Sequence, residues 1–163
     1  MYKLLVVLLI TGELFAVSCS AQDKGHALYD PSINAMHQID SLTIVAKNQH
    51  KQVLLQIGGN WCRWCLMFNK FCENDVTVDS ILKADYIVGH INYSKENPNP
   101  ETMQRLGYPQ RFGFPVFVIL DGEGTRLHTQ NSAYLEKGEG YDSKKVSEFL
   151  LQWNRKSVSG AGL

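Results

Sequence analysis

Apolar positions along the chain fall into two kinds of run. Val53-Leu54-Leu55-Gln56-Ile57 and Val116 to Leu120 are short and nearly continuous, of strand length rather than helix length. The unbroken apolar character of Val116 to Leu120 implies cover on both faces. Tyr86 to Asn92 is β-branched, bounded by polar residues, and reads as another strand. Asp121-Gly122-Glu123-Gly124 is a hairpin-type turn, after which Arg126 to Gln130 returns antiparallel. The second kind of run repeats at helical spacing. Ile33, Met36, Ile39, Ile44 and Val45 predict an amphipathic helix over 32–48, with Ser32 near its start. Leu66, Phe68, Phe71, Cys72 and Val76 predict a second helix with one buried face. Residues 142–154 predict a closing helix, capped by Asp142 or Ser143, with Val146, Phe149, Leu150 and Trp153 facing inward. Residues 78–83 predict a short helical turn. Pro100 opens a further short helix that Gly107 ends. Residues 94–100, 108–113 and 131–140 read as turns and loops.

The first 21 residues follow a different pattern. A short positive region, Met1-Tyr2-Lys3, precedes the apolar stretch Leu4 to Ile10, and small residues follow at Ser18, Cys19, Ser20 and Ala21. That is the layout of a secretory signal, too short for a membrane span and interrupted by Glu13. Three outcomes stay open: cleavage after Ala21, lipidation at Cys19 within the relaxed lipobox Phe15-Ala16-Val17-Ser18-Cys19, or a Cys19 that is only a small residue of the leader. The expected organisation is a signal peptide at 1–21, a polar linker at 22–31, one domain at 32–156 and a flexible tail at 157–163. Export to the periplasm, with a membrane anchor only if Cys19 carries lipid, places the remaining cysteines in an oxidising compartment. The 163 residues allow one domain, and the 44% hydrophobic content can supply its core. Sixteen basic and sixteen acidic residues cancel, so no basic excess points to nucleic acid.

The chemistry gathers at Trp61-Cys62-Arg63-Trp64-Cys65. Two cysteines separated by two residues, following a strand and Gly58-Gly59-Asn60 and opening a helix, form a redox motif. A helix N-terminus offers unpaired N–H groups and a dipole that favour a thiolate at Cys62, and Arg63 adds positive charge. A structural disulfide would staple poorly, because so small a loop removes little unfolded-state entropy. A zinc site would need two further ligands, for which Cys72 with His50 or His90 are the candidates, yet no second paired motif exists. Cys72 lies seven residues after Cys65, ~10.5 Å along a helix and beyond the ~7 Å that a disulfide spans. It reads as a buried structural cysteine. His50 reads as a solvated turn histidine.

Trp-Cys-x-x-Cys after a buried strand, with Gly113-Phe114-Pro115 before the next, resembles the thioredoxin-like superfamily, and in particular the periplasmic thioredoxin-like domain of DsbD and related secreted proteins. The resemblance runs from about Ile33 to Trp153. It implies an α/β thioredoxin fold, a central mixed sheet flanked by helices with an N-terminal helical extension. It implies an exported thiol–disulfide oxidoreductase that exchanges electrons with protein thiols or disulfides and, in some relatives, with a membrane donor or acceptor. No cofactor beyond the Cys62–Cys65 pair is expected. Within the resemblance Cys62 is the nucleophile and Cys65 resolves the mixed disulfide. Trp61 shields the sulfur, and Pro115 matches a cis-proline that leaves the backbone of Phe114 free for an incoming chain. Trp64 either contacts a partner or folds back on the domain. One position departs from the family: Gln56, six residues before Cys62, stands where many thioredoxins keep a buried acid, and glutamine takes up no proton in the useful range. Slow resolution is the expectation. A rival function is a non-catalytic module that holds extended peptide in the Pro115 groove, which would not require a low-pKa Cys62. A metallochaperone using Cys62 and Cys65 lacks further ligands.

Overall fold

A computed structural model describes residues 27–160. The order of elements is α1 (Ala35–Gln49), β1 (Gln52–Gly58), α2 (Arg63–Asn74), α3 (Val76–Asp85), β2 (Tyr86–Asn92), α4 (Pro100–Arg105), β3 (Val116–Leu120), β4 (Arg126–Asn131), a small hairpin β5 (Glu136–Lys137) and β6 (Gly140–Tyr141), α5 (Ser143–Trp153) and α6 (Arg155–Val158). The main sheet runs β2-β1-β3-β4. β1 pairs parallel with β2, whereas β1–β3 and β3–β4 are antiparallel. The crossover from β1 to β2 carries α2 and α3, as a parallel connection requires.

Alternation along β1 divides the core. Val53, Leu55 and Ile57 join Val116, Val118 and Leu120 on one face, under Ala35, Ile39 and Ala46 of α1 and Met103 of α4. Leu54 joins Phe117 and Ile119 on the other, under Phe68 and Cys72 of α2, Val78 of α3 and Val146, Phe149 and Leu150 of α5. Phe117 is the hub of the second layer, 4.4 Å from the Phe68 ring and 6.2 Å from Phe149, distances at which tilted aromatic pairs attract. By the same alternation, Gln56 and Gly58 face α2.

The strands lie where hydropathy put them, and three other segments differ. In α1, Asn34 is the cap, its side chain accepting from the His37 N–H, so the helix starts later than Ser32. Its inner stripe is Ala35, Ile39 and Ala46, with Leu42 packed against it, while Ile33, Ile44 and Val45 are exposed. Small alanines let α1 lie close to the sheet, and a search for bulky residues passes over them. Val76 is 83% exposed and begins α3, a full helix rather than one turn; Asp75 caps it by accepting from the Thr77 and Val78 N–H groups. The 131–140 segment is not a plain loop. It forms a 3-10 turn, Ser132–Leu135, then the β5–β6 hairpin, and Leu135 is buried. At the far end, α6 continues ordered helix to Val158, into the stretch expected to be tail. The segment 1–21 expected to be a signal peptide, with Cys19, lies outside the described residues. No helix among the described residues is long and apolar enough to cross a membrane.

Candidate active site

The site is built where β1 ends and α2 begins. Gly58 leaves no side chain under the helix start: a Cβ there would stand 2.4 Å from Cys65 Sγ, nearer than a Cβ packs against a non-bonded atom. Gly59-Asn60-Trp61 then turns the chain, closed by the Cys62 N–H bonding the Gly59 carbonyl at 2.9 Å. Cys62 is the cap residue of α2, and its Sγ accepts from the Cys65 N–H at 3.1 Å. A sulfur thus occupies the place of the usual capping oxygen, where orphan N–H groups and the helix dipole favour negative charge.

Cys62 and Cys65 form a disulfide, with Cα atoms 5.3 Å apart. Cys65 is fully buried, and Cys62 is 5% exposed. Cys62 is the more exposed of the two, but it is far more covered than a surface nucleophile. Leu28, Tyr29, Trp64 and Phe114 make the cover. The Phe114–Pro115 peptide is cis, and Pro115 is buried. Phe114 stacks on Tyr93 at 5.0 Å and meets Trp61 edge-on at 5.4 Å. Trp61 is 59% exposed, anchored by its Nε1–H donating to the Tyr93 carbonyl at 2.9 Å. An apolar groove of about 530 Å³ opens beside it, lined by Trp61, Tyr93 and Pro98 among others. Trp64 folds back on the domain, edge-on to Tyr141 at 5.6 Å, and its carbonyl accepts from the Tyr141 hydroxyl at 3.2 Å. Arg63 is exposed on the first turn of α2.

Gln56 is 2% exposed and lies under this turn. Its Nε2 donates to the Cys65 carbonyl at 2.9 Å and to the Tyr29 hydroxyl at 2.6 Å. Tyr29 falls in the stretch expected to be linker, yet it is fully buried against the cysteines. Its backbone is clamped twice by Asn60: the Tyr29 N–H donates to Oδ1 at 3.1 Å, and Nδ2 donates to the Tyr29 carbonyl at 2.7 Å. Asn97 Nδ2 holds the Pro31 carbonyl at 2.8 Å. The end of the 22–31 segment is therefore part of the domain and part of the site. Burial pushes the Tyr29 phenol well above its ordinary range, outweighing the Gln56 hydrogen bond that acts the other way.

Cys72 is free and buried. Burial first, then the carboxylates of Asp75, Glu73 and Asp79, push its thiol up to about 12. It is an inert packing residue. His90, which pairs with Gln56 across the β1–β2 ladder, sits edge-on to Tyr29 at 5.6 Å, and burial lowers its pKa. Among the described residues, no group of three His, Cys, Asp or Glu side chains is placed to hold a metal ion.

A family model described as thioredoxin-like matches residues 34–122, more than half of the chain. The chain belongs to the thioredoxin-like family. Over 106 residues, this thioredoxin-like chain is 28% identical to the thiol:disulfide interchange protein DsbD of Photorhabdus laumondii subsp. laumondii. That alignment takes in 65% of this chain and 18% of DsbD, so the chain spans less than a fifth of that relative's length. Among solved structures it resembles a disulphide isomerase from Xylella fastidiosa Temecula1, with a TM-score of 0.66 at 23% identity, over 76% of this chain and 94% of that one. The oxidised C-terminal domain of Neisseria meningitidis DsbD superposes with a TM-score of 0.52 at 17% identity, over 72% and 94% of the two chains. At such identities these two likenesses establish the fold, and the thioredoxin-like architecture is shared by all three.

Proposed function

We propose that this thioredoxin-like protein is an exported thiol–disulfide oxidoreductase that exchanges electrons with protein thiols or disulfides through Cys62 and Cys65. The observation that carries the reading is the Cys62–Cys65 disulfide at the start of α2, with Cys62 Sγ accepting from a backbone N–H. In the reductive direction, a substrate disulfide is attacked by the Cys62 thiolate. One substrate sulfur bonds to Cys62 and the other leaves as a thiolate. Cys65, once ionised, attacks Cys62 Sγ, closes the internal disulfide and releases the second substrate thiolate. Two electrons pass from the cysteine pair to the substrate. The reverse sequence oxidises a dithiol. The helix N-terminus favours Cys62 over Cys65 as the thiolate that reacts with the partner, because its sulfur is the one capped by the helix.

Trp61, Phe114 and the groove beside Tyr93 supply an apolar landing surface next to the reactive sulfur, which suits a protein rather than a small thiol. Export is supported by the leader pattern at 1–21, and the name thiol:disulfide interchange protein borne by the P. laumondii relative supports the chemistry. The direct test is mixed-disulfide trapping. Cys65→Ser should accumulate covalent complexes with thiol proteins, visible on non-reducing gels and lost on reduction, and Cys62→Ser should accumulate none. If the trap forms with Cys62→Ser instead, the two roles are reversed. If neither variant traps anything and wild type shows no exchange, the protein is a binding module.

A further inference from the structure

We propose that Tyr29 is a positioning residue for the Cys65 half of the exchange: its hydroxyl donates a hydrogen bond to the Cys65 thiolate whenever the disulfide is open. The proposal rests on the exchange reading above and adds a residue that lies outside the family match at 34–122. The argument starts from the direction of the bonds already present. The Cys65 carbonyl can only accept, so the Gln56 atom beside it is the amide nitrogen. That nitrogen carries two protons. One goes to the carbonyl at 2.9 Å and the other to Tyr29 Oη at 2.6 Å. Tyr29 Oη is therefore an acceptor toward Gln56, which leaves its own proton to be donated elsewhere. No other protein partner takes it among the described residues.

Gly58 locates the acceptor. A Cβ built there would be 2.4 Å from Cys65 Sγ and 3.2 Å from Tyr29 Oη, so sulfur and hydroxyl border the same small space. In the disulfide, Cys65 Sγ is neutral and a poor acceptor. When an incoming thiolate attacks Cys62 Sγ, the Cys62–Cys65 bond breaks and its electron pair stays on Cys65 Sγ as a thiolate in a fully buried site. A buried anion without a donor is costly. The Tyr29 O–H supplies that donor and keeps its proton throughout, since burial holds the phenol neutral. In the opposite direction, the same bond raises the fraction of Cys65 present as thiolate, ready to displace the substrate sulfur from Cys62, while the thiol proton goes to solvent. The Asn60 clamp fixes Tyr29 for this role from the same loop that carries the cysteines.

The titratable and charged groups around the pocket are Cys62 at the cap of α2, Arg63, Cys72 and Glu73 on α2, His90 on β2, Tyr141 on β6 and the neighbouring Asp30; the Phe114–Pro115 loop brings none. All are retained in Tyr29→Phe, which keeps the ring and removes one oxygen. Two readouts test the role. In a Cys62→Ala background, the Cys65 thiol is titrated by thiolate ultraviolet absorbance, with and without Tyr29→Phe. In the otherwise native protein, resolution of a Cys62-linked mixed disulfide with an aromatic thiol is followed in single turnover against pH. Tyr29→Phe should raise the Cys65 pKa by about one unit and slow resolution about tenfold at neutral pH. The two rate profiles should converge once both thiols are ionised. An unchanged Cys65 pKa and an unchanged profile overturn the proposal, and a variant that only unfolds earlier makes Tyr29 a packing anchor and overturns it too. The titration needs no exchange activity, so its success beside a wild type that exchanges nothing would sink the exchange reading and leave the hydrogen bond standing. Should Tyr29→Phe fail to fold, Tyr29→Phe/Gln56→Met, which removes both polar partners, is compared with Gln56→Met alone by the same two readouts.

Discussion

Gln56→Glu puts a carboxyl where the amide now sits, and the structure sets the size of the effect. The residue is 2% exposed, and the nitrogen being replaced faces the Cys65 carbonyl at 2.9 Å. An ionised carboxylate would set oxygen against oxygen there, with only the Tyr29 hydroxyl to turn and donate to it. The neutral acid can still donate to the carbonyl. Burial and the carbonyl both favour the protonated form, so the folded pKa rises above the unfolded value of ~4.3. The folded state then binds more protons than the unfolded chain, and stability falls as pH rises. The loss begins near ~4.3 and runs at ~1.36 kcal/mol per pH unit until the folded pKa is passed. A carboxyl still neutral at pH ~7 therefore costs about 4 kcal/mol relative to acid conditions, but only about 1 kcal/mol at pH ~5. The assay is denaturant unfolding of the oxidised wild type and variant at those two pH values. Taking the difference between proteins cancels the titration of His90, which both retain. The same variant should resolve mixed disulfides faster only as pH reaches the raised folded pKa of the carboxyl, because the carboxylate and not the neutral acid can take the Cys65 proton. A stability difference that does not change between the two pH values would refute the reasoning. It would mean that water reaches the site, for which the cavity of about 280 Å³ lined by Gln56, Glu73 and His90 is the route.

Two more substitutions probe the site's frame. Gly58→Ala drives a methyl to 2.4 Å from Cys65 Sγ and should cost at least ~2–3 kcal/mol in the oxidised form, read by chemical unfolding; a loss below ~0.5 kcal/mol would show that α2 can slide off β1. Cys72→Ala should leave the rate and pH profile of exchange unchanged and cost about 1–2 kcal/mol from lost packing, and any change in exchange would make Cys72 a third redox group.

β1 and β3 were legible because continuous apolar runs of strand length have few other homes in a domain of this size, whereas β2 was read from its β-branched residues and β4 from the turn that precedes it. The cysteine pair was legible because its chemistry is local: strand, turn and helix start are consecutive in the chain. α1 was half legible. Its existence followed from periodicity, but its buried stripe rests on Ala35 and Ala46, whose small size hides them among bulkier exposed neighbours. The β5–β6 hairpin escaped notice because two-residue strands are too short to show alternation. Tyr29 escaped for another reason. It follows Leu28 in a short, mostly polar stretch ending at Pro31, and its partner Gln56 is 27 residues away, so no window of pattern contains both. A lone aromatic in a mostly polar segment was the available signal. Gln56 itself stood out in the sequence only as the absence of an acid. Its amide is in fact bonded to a hydroxyl and a carbonyl.

The Asn60 clamp also sets a length scale for whatever lies ahead of the domain. With Tyr29 pinned beside the sulfurs, the redox centre cannot stray from the leader by more than the chain between them can stretch. Tyr29 is ten residue steps beyond Cys19, a reach of at most ~33–36 Å. A chain tethered by lipid at Cys19 would hold its disulfide within about one bilayer thickness of the membrane surface and could serve only partners that come to that layer. A chain cut after Ala21 would carry the same centre through the whole compartment. If residues 1–21 act as a leader, the way they are processed would fix the volume the active site can search.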